Sequence, residues 1–263
     1  MGYFKELLNR ELQRPSKDIA IIDRNEVYQQ SVRFIIERTK NSFAKYNLKV
    51  KGTNGIKYYK GKSKLYKHVI YTIGEEPIFN IEDCNVNNIR KNIYLGKYNN
   101  NLIGSIHSRQ SDRKYRVEYT NLFTGEKEYL EMHSDKRLVI CGIYYGKEKE
   151  GAPLIAKITR DRRISTKCVL DIAPGVDNIF FMGLAAFFSD RAQFRNKKRK
   201  TKSSHKKFDL SDDEDDDDVD DYDGGDYDAC GYGSYHDCDG GGDGGDGGDG
   251  GGDCGGGDGG GGD

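Results

Sequence analysis

Between Ser31 and Leu170, apolar and polar residues alternate in short runs broken by Gly, Asn and Asp. Alternation of this period sends successive side chains to opposite faces of an extended strand, and regularly spaced breaks favour a sandwich or a barrel. Twelve runs qualify, at 32–38, 48–51, 56–59, 68–73, 78–81, 92–95, 102–106, 115–119, 128–132, 138–144, 154–159 and 168–172. Several, such as Leu48-Lys-Val-Lys, put one face in a core and one in water. Thr53-Asn-Gly-Ile and Thr124-Gly-Glu supply the residues that tight hairpins require at positive φ, so the runs read as a meander of antiparallel hairpins.

One element breaks the pattern. Ile179 to Phe188 is apolar on all sides, and Asp177, at the end of Pro174-Gly175-Val-Asp177, is placed to cap the first turn of a helix there. A helix without a polar face must be enclosed. It either packs under a sheet or threads a barrel too wide for strand side chains alone to fill, and the number of strands favours the barrel. Pro174, Gly175 and Asp177 are accordingly structural residues. Ahead of the strands, Phe4, Leu7, Leu8 and Leu12 have helical spacing and predict a short amphipathic helix that ends near Pro15. The expected fold class is therefore mainly β: a closed antiparallel β-barrel of ~12 strands enclosing a C-terminal hydrophobic α-helix.

Charge changes the picture. The 263 residues carry 42 Lys plus Arg and 43 Asp plus Glu, a formal net charge of −1 that hides a division. Residues 209–263 hold 21 acidic side chains and no basic one, which leaves the preceding chain at +20. That segment also holds 21 of the 34 Gly, and it has too few apolar side chains to offset ordering entropy, which predicts a disordered, low-complexity acidic tail. The expected organisation is a leader over 1–28, a barrel domain over 29–194, a basic linker over 195–208 and the tail over 209–263. One domain of this size excludes a multidomain enzyme. Met1-Gly-Tyr-Phe-Lys-Glu lacks the pattern of a secretory signal, and Glu6 stands where a myristoylation motif wants Ser or Thr. The longest apolar run has ten residues, where a helical span needs about 20. Six Cys without a CxxC pair read as isolated thiols in a reducing compartment, so the expected location is cytoplasmic, with membrane-peripheral or nuclear residence as variants.

A run of twelve strands followed by one wholly apolar helix resembles the LURP-one-related family, which shares the tubby C-terminal and phospholipid scramblase fold. Cys168-Val-Leu-Asp-Ile-Ala-Pro-Gly-Val-Asp177 is similar to the family's final strand, turn and entrance to its core helix. Leu48 to Tyr59 resembles its early paired strands, and Pro77-Ile-Phe-Asn-Ile-Glu-Asp a later strand. The resemblance spans 29–190 and implies a closed barrel around a helix. Through related folds that bind phosphoinositides or other phospholipids, it also implies a non-enzymatic, scramblase-like module for anionic phospholipid or a protein partner. A cysteine-rich palmitoylation stretch, a proline-rich N-terminus and an acidic calcium loop beside the helix are missing from the sequence, which argues against calcium-activated scrambling.

Neither a nucleophile with its base, a marked carboxylate pair, nor a phosphate-cradling glycine loop is evident, so no catalytic residue, cofactor or small-molecule substrate is assigned. His236 with Cys230, Cys238 and Cys254 has spacing too irregular for a defined zinc site, and no metal ligand is assigned. The sharper signal is Arg195 to Lys207, with eight Lys or Arg in thirteen residues. It has three readings: a nuclear import address centred on Lys197, Lys198, Arg199 and Lys200; a polybasic patch for anionic head groups that includes Lys202; or a solvated linker. Arg160, Arg162 and Arg163, assigned to the turn before the last strand, form a second candidate for a head group. Asp212 to Asp221 would mask the basic run from lipid or nucleic acid at high effective concentration, and phosphate on Ser211 would strengthen that masking. The expected partners are an anionic phospholipid surface and a protein that meets the acidic tail. The alternative is a nuclear or nucleic-acid-associated adaptor.

Overall fold

Each strand buries alternate side chains. Tyr115, Val117 and Tyr119 point inward from the ninth strand while Lys114, Arg116 and Glu118 do not, and repetition of this pattern curls the sheet into a closed cylinder. The computed structural model describes residues 3–39, 45–64, 67–84, 90–108, 113–160 and 166–205. All belong to the first of two units, Met1–Leu210 and Ser211–Asp263. The disorder expected of the acidic tail lies outside the described residues.

Helix α1 (Tyr3–Asn9) and a two-residue strand β1 (Val27–Tyr28) precede the barrel. Its strands are β2 (Val32–Arg38), β3 (Leu48–Gly52), β4 (Lys57–Ser63), β5 (Lys67–Thr72), β6 (Pro77–Asp83) and β7 (Arg90–Leu95). They continue as β8 (Leu102–Ser108), β9 (Lys114–Thr120), β10 (Lys127–Ser134), β11 (Ile140–Tyr144), β12 (Leu154–Arg160) and β13 (Lys167–Ile172). Each of the twelve expected runs is one of these strands. Neighbours in sequence pair antiparallel, and β13 closes the cylinder on β2 with Ile172 opposite Val32 and Lys167 opposite Glu37. No barrel strand has a free edge.

Strand β14 (Val176–Asp177) leads directly into α2 (Asn178–His205). This helix enters at what we term the proximal mouth, where β13 ends, and leaves at the distal mouth, where β2 ends. Ile179 to Ser189 are all buried inside. Phe180 packs beside Phe79 and Tyr119, with ring centroids 6.4 and 6.1 Å apart, and Phe187 meets the edge of Tyr115 at 5.2 Å. Gly183 lets the helix reach the Phe79 ring, which a Cβ there would penetrate. The fully apolar run is thus the core of the barrel, and burial of each large side chain contributes about 1.5–3 kcal/mol.

The leader is not outside the domain. Ile19, Ala20 and Ile21 are buried, and β1 pairs with β14 across the proximal mouth, Val27 opposite Asp177. Leu7 on α1 fills a second apolar cluster with Ile140, Tyr144 and Leu154. The short helix ends at Asn9, sooner than Pro15 suggested, and Lys157 Nζ donates to the carbonyls of Leu8 and Arg10 at 3.0 Å each. The basic segment also differs from its reading as a linker: α2 continues through it to His205. No Gly or Pro interrupts residues 184–207, and Lys and Arg are good helix formers.

Candidate functional site

At the distal mouth the helix passes from an apolar cylinder into water, and the change is marked by a collar of ion pairs. Arg38 at the end of β2 pairs with Asp190 on α2 and also donates to Ser63 Oγ at the end of β4. Ser63 Oγ donates to Asp190 Oδ2 at 2.7 Å, and the Asn47 amide brackets the Ser63 backbone with two bonds of 2.7 Å. Across the mouth Lys91 pairs with Asp83, its Nζ 5.7 Å from the Phe187 ring centre, while Arg191 Nε donates to the Tyr115 hydroxyl at 3.3 Å. Burial, helped by the Arg191 charge, brings the Lys91 pKa down to about 8.

His68 stands inside this collar, and sequence spacing gave no sign of it. Ser63 Oγ and Asp190 Oδ2 lie 2.6 and 2.8 Å from the same ring nitrogen, Nδ1. A nucleophilic triad needs serine and carboxylate on opposite ring nitrogens, so that the base is oriented by one and takes a proton from the other. Here both crowd one nitrogen, and the serine hydroxyl is already committed to Asp190. Burial first, then the charges of Lys91 and Arg38, hold the His68 pKa at about 3. The cluster pins α2 to the barrel wall.

Beyond Arg191 the helix runs on for fourteen residues, about 21 Å at 1.5 Å per residue. Lys197, Lys198, Arg199, Lys200 and Lys202 all lie on this extension. Arg160 belongs elsewhere: it is the last residue of β12, not a turn residue, and is 6% exposed with its guanidinium donating to the Leu138 carbonyl at 2.9 Å. Its burial makes it a structural cation and removes it from the head-group candidates. Arg162, Arg163, Ser211 and the Cys230, His236, Cys238 and Cys254 set lie outside the described residues. Among the described residues no cluster of His, Cys, Asp or Glu fits a metal ion. Cys141 and Cys168 are buried, and burial lifts both thiols, Cys168 to about 12.

At the proximal mouth, Pro174, Gly175 and Asp177 form the hinge between β13 and α2. Gly175 has φ of 78°, its N–H donates to the Tyr28 carbonyl at 2.8 Å, and its own carbonyl accepts from Ile19 at 2.8 Å. Asp177 Oδ1 accepts the Phe180 amide at 3.1 Å as an N-cap. Its Oδ2 accepts from Ile21, Ile22 and Asp23 at 2.9, 2.7 and 3.4 Å. Burial raises this carboxyl above the usual range, and the four amides oppose the rise.

A closed twelve-stranded barrel threaded by its own C-terminal helix, with a collar of ion pairs where the helix leaves it, defines the class. The LURP-one-related family model matches residues 32–190, and the chain belongs to that family. No curated protein matches the chain. An X-ray structure of a protein from Arabidopsis thaliana is similar at 18% identity, covering 65% of this chain and 97% of that one, with a TM-score of 0.49. Among the described residues no helix is long and apolar enough to cross a membrane.

Proposed function

We propose that this protein is a non-catalytic cytoplasmic module that docks on anionic phospholipid, of the phosphoinositide type, through the basic half of α2. The observation that carries the reading is the continuity of the helix. The basic run is anchored at Asp190 and Arg191 and extends from the distal mouth as a helical arm. Cations carried on an anchored rod lose less conformational entropy on binding than cations on a free chain. Each one near an anionic surface contributes about 1 kcal/mol. The acidic tail, with Ser211 as a phosphorylation site, regulates the arm by competing for it.

Co-sedimentation of the full chain and of residues 1–208 with neutral and with anionic vesicles, at low and at physiological salt, tests this. Binding confined to anionic vesicles, weakened by salt and stronger without the tail, supports the reading. Equal binding by both forms rejects the masking, and no binding by either rejects the lipid. Salt-sensitive binding to duplex DNA without binding to vesicles would favour the nuclear alternative.

A further inference from the structure

The proximal mouth carries a feature the arm does not explain. Among the described residues, seven of the eight exposed large apolar side chains lie on hairpins at this end of the barrel. Ile56 sits on the β3–β4 turn, Ile73 on the β5–β6 turn, Tyr98 on the β7–β8 connection with Leu102 at the start of β8, and Leu122 and Phe123 on the β9–β10 turn. Tyr98 is 71% exposed, Ile56 57% and Leu102 55%. Scattered surface apolar residues are ordinary. Seven carried on four consecutive hairpins, which follow one another around one rim of the barrel, are not scattered.

The four tips form a crescent. The leader covers the rest of the mouth, where the Leu122 N–H donates to the Ala20 carbonyl at 2.7 Å. Register shifts in β3, β5, β7 and β11 fall at their proximal ends, where bulges re-aim strand ends. Cations accompany the tips: Lys57 follows Ile56, Lys97 Nζ lies 5.9 Å from the Tyr98 ring centre, and the Arg24 guanidinium lies 5.6 Å from that of Phe123. Two of the crescent's carboxylates are already paired, Glu75 with Lys45 and Lys60, and Glu126 with Lys17. Glu76 remains exposed beside Ile73.

We propose that this crescent is a second docking face, which inserts its hairpin tips into the interface of an anionic lipid bilayer. The occupant follows from the shape and the charge. A protein partner requires a contiguous apolar patch, close-packed and poor in Lys. Here one to three exposed apolar side chains stand on each tip, and the tips are divided by Asn, Gly and Lys. A fluid interface accepts each tip independently, favours aromatic rings at head-group depth, and attracts flanking cations. The face lies opposite the basic arm, so its contact is independent of the arm's and differs in kind. Tip insertion survives salt, whereas the arm's contact does not.

The chain contains no Trp, so Tyr98→Trp in the full-length protein provides one probe at the crescent. With vesicles of mixed neutral and anionic phospholipid at physiological salt, its emission moves to shorter wavelength and is quenched by brominated acyl chains. Ile56→Ser and Leu102→Ser each weaken the salt-resistant partition about tenfold without lowering the melting temperature, because both side chains are exposed. Replacing Lys197, Lys198 and Arg199 by Gln removes only the salt-sensitive part. Emission that stays unchanged while the protein sediments with vesicles overturns the crescent and leaves the arm standing, and absence of sedimentation at any salt overturns both. A concentration-dependent dimer that Tyr98→Ser dissolves would assign the crescent to a second copy of this chain and overturn the lipid docking.

Discussion

Asp177 and Ile21 are separated by 156 positions in the chain and joined by a 2.9 Å hydrogen bond, from the Ile21 amide to the carboxylate that also caps α2. One side chain thus ties the leader to the first turn of the core helix. Asp177→Asn keeps the shape but turns a donor toward amides that need an acceptor. Unmet buried donors cost about 1–3 kcal/mol. The expected loss is about 2–3 kcal/mol in urea unfolding, with an unchanged m-value and faster proteolysis of the leader.

The leader's contribution is testable by removal. A chain beginning at residue 29 lacks Leu7, Ile19, Ile21 and Val27, all buried, and exposes the surfaces they cover. Each contributes about 1.5–3 kcal/mol, so the shortened protein should melt at least 10 °C lower, roughly, or fail to remain soluble. Thermal unfolding of the two forms, followed by circular dichroism, checks this.

The closeness of α2 to the wall at Gly183 predicts a size effect. Gly183→Ala should destabilise the protein by about 1–3 kcal/mol despite the better helix propensity of Ala, because the methyl group collides with the Phe79 ring. Phe79→Leu in the same chain should restore part of the loss. Additive losses in this double-mutant cycle would refute the contact.

His68 makes stability depend on pH with a definite sign. Its folded-state pKa of about 3 lies below the ordinary 6.5, so between these values the unfolded chain binds a proton that the folded chain refuses. The contribution is complete above pH 6.5 and falls by about 1.4 kcal/mol per unit as the solution is acidified toward pH 3. Denaturant midpoints from pH 7 to pH 4 should therefore decline less steeply in His68→Gln than in the unmodified protein. Parallel curves would show that His68 does not supply the slope.

The strands were legible because their burial is local: a residue's side is set by its neighbours two positions away, as Tyr115, Val117 and Tyr119 show. The core helix was legible because a run with no polar face has one physical outcome. The leader was not. Ile19, Ala20 and Ile21 have no period of their own, and their burial depends on β14, more than 150 positions later. The collar was hidden for the same reason, since Ser63 and His68 are five positions apart but Asp190 is 127 positions from Ser63. Arg160 read as a surface cation because nothing in Arg160-Asp-Arg-Arg163 signals that the last strand position is buried. The helical extension was the exception, readable from unbroken helix formers yet overshadowed by charge.

The threaded barrel constrains how the chain is made. The seam between β2 and β13 joins residues 32–37 to 167–172, and the helix that fills the cylinder follows β13 in sequence. A ribosome therefore releases the whole wall before its filling. Until about residue 190 has emerged, the inward faces of twelve strands have nothing to pack against, and closure of the seam cannot precede arrival of the helix. The nascent protein spends its synthesis as an open, apolar sheet, so its dependence on chaperones during translation should far exceed that of the finished molecule.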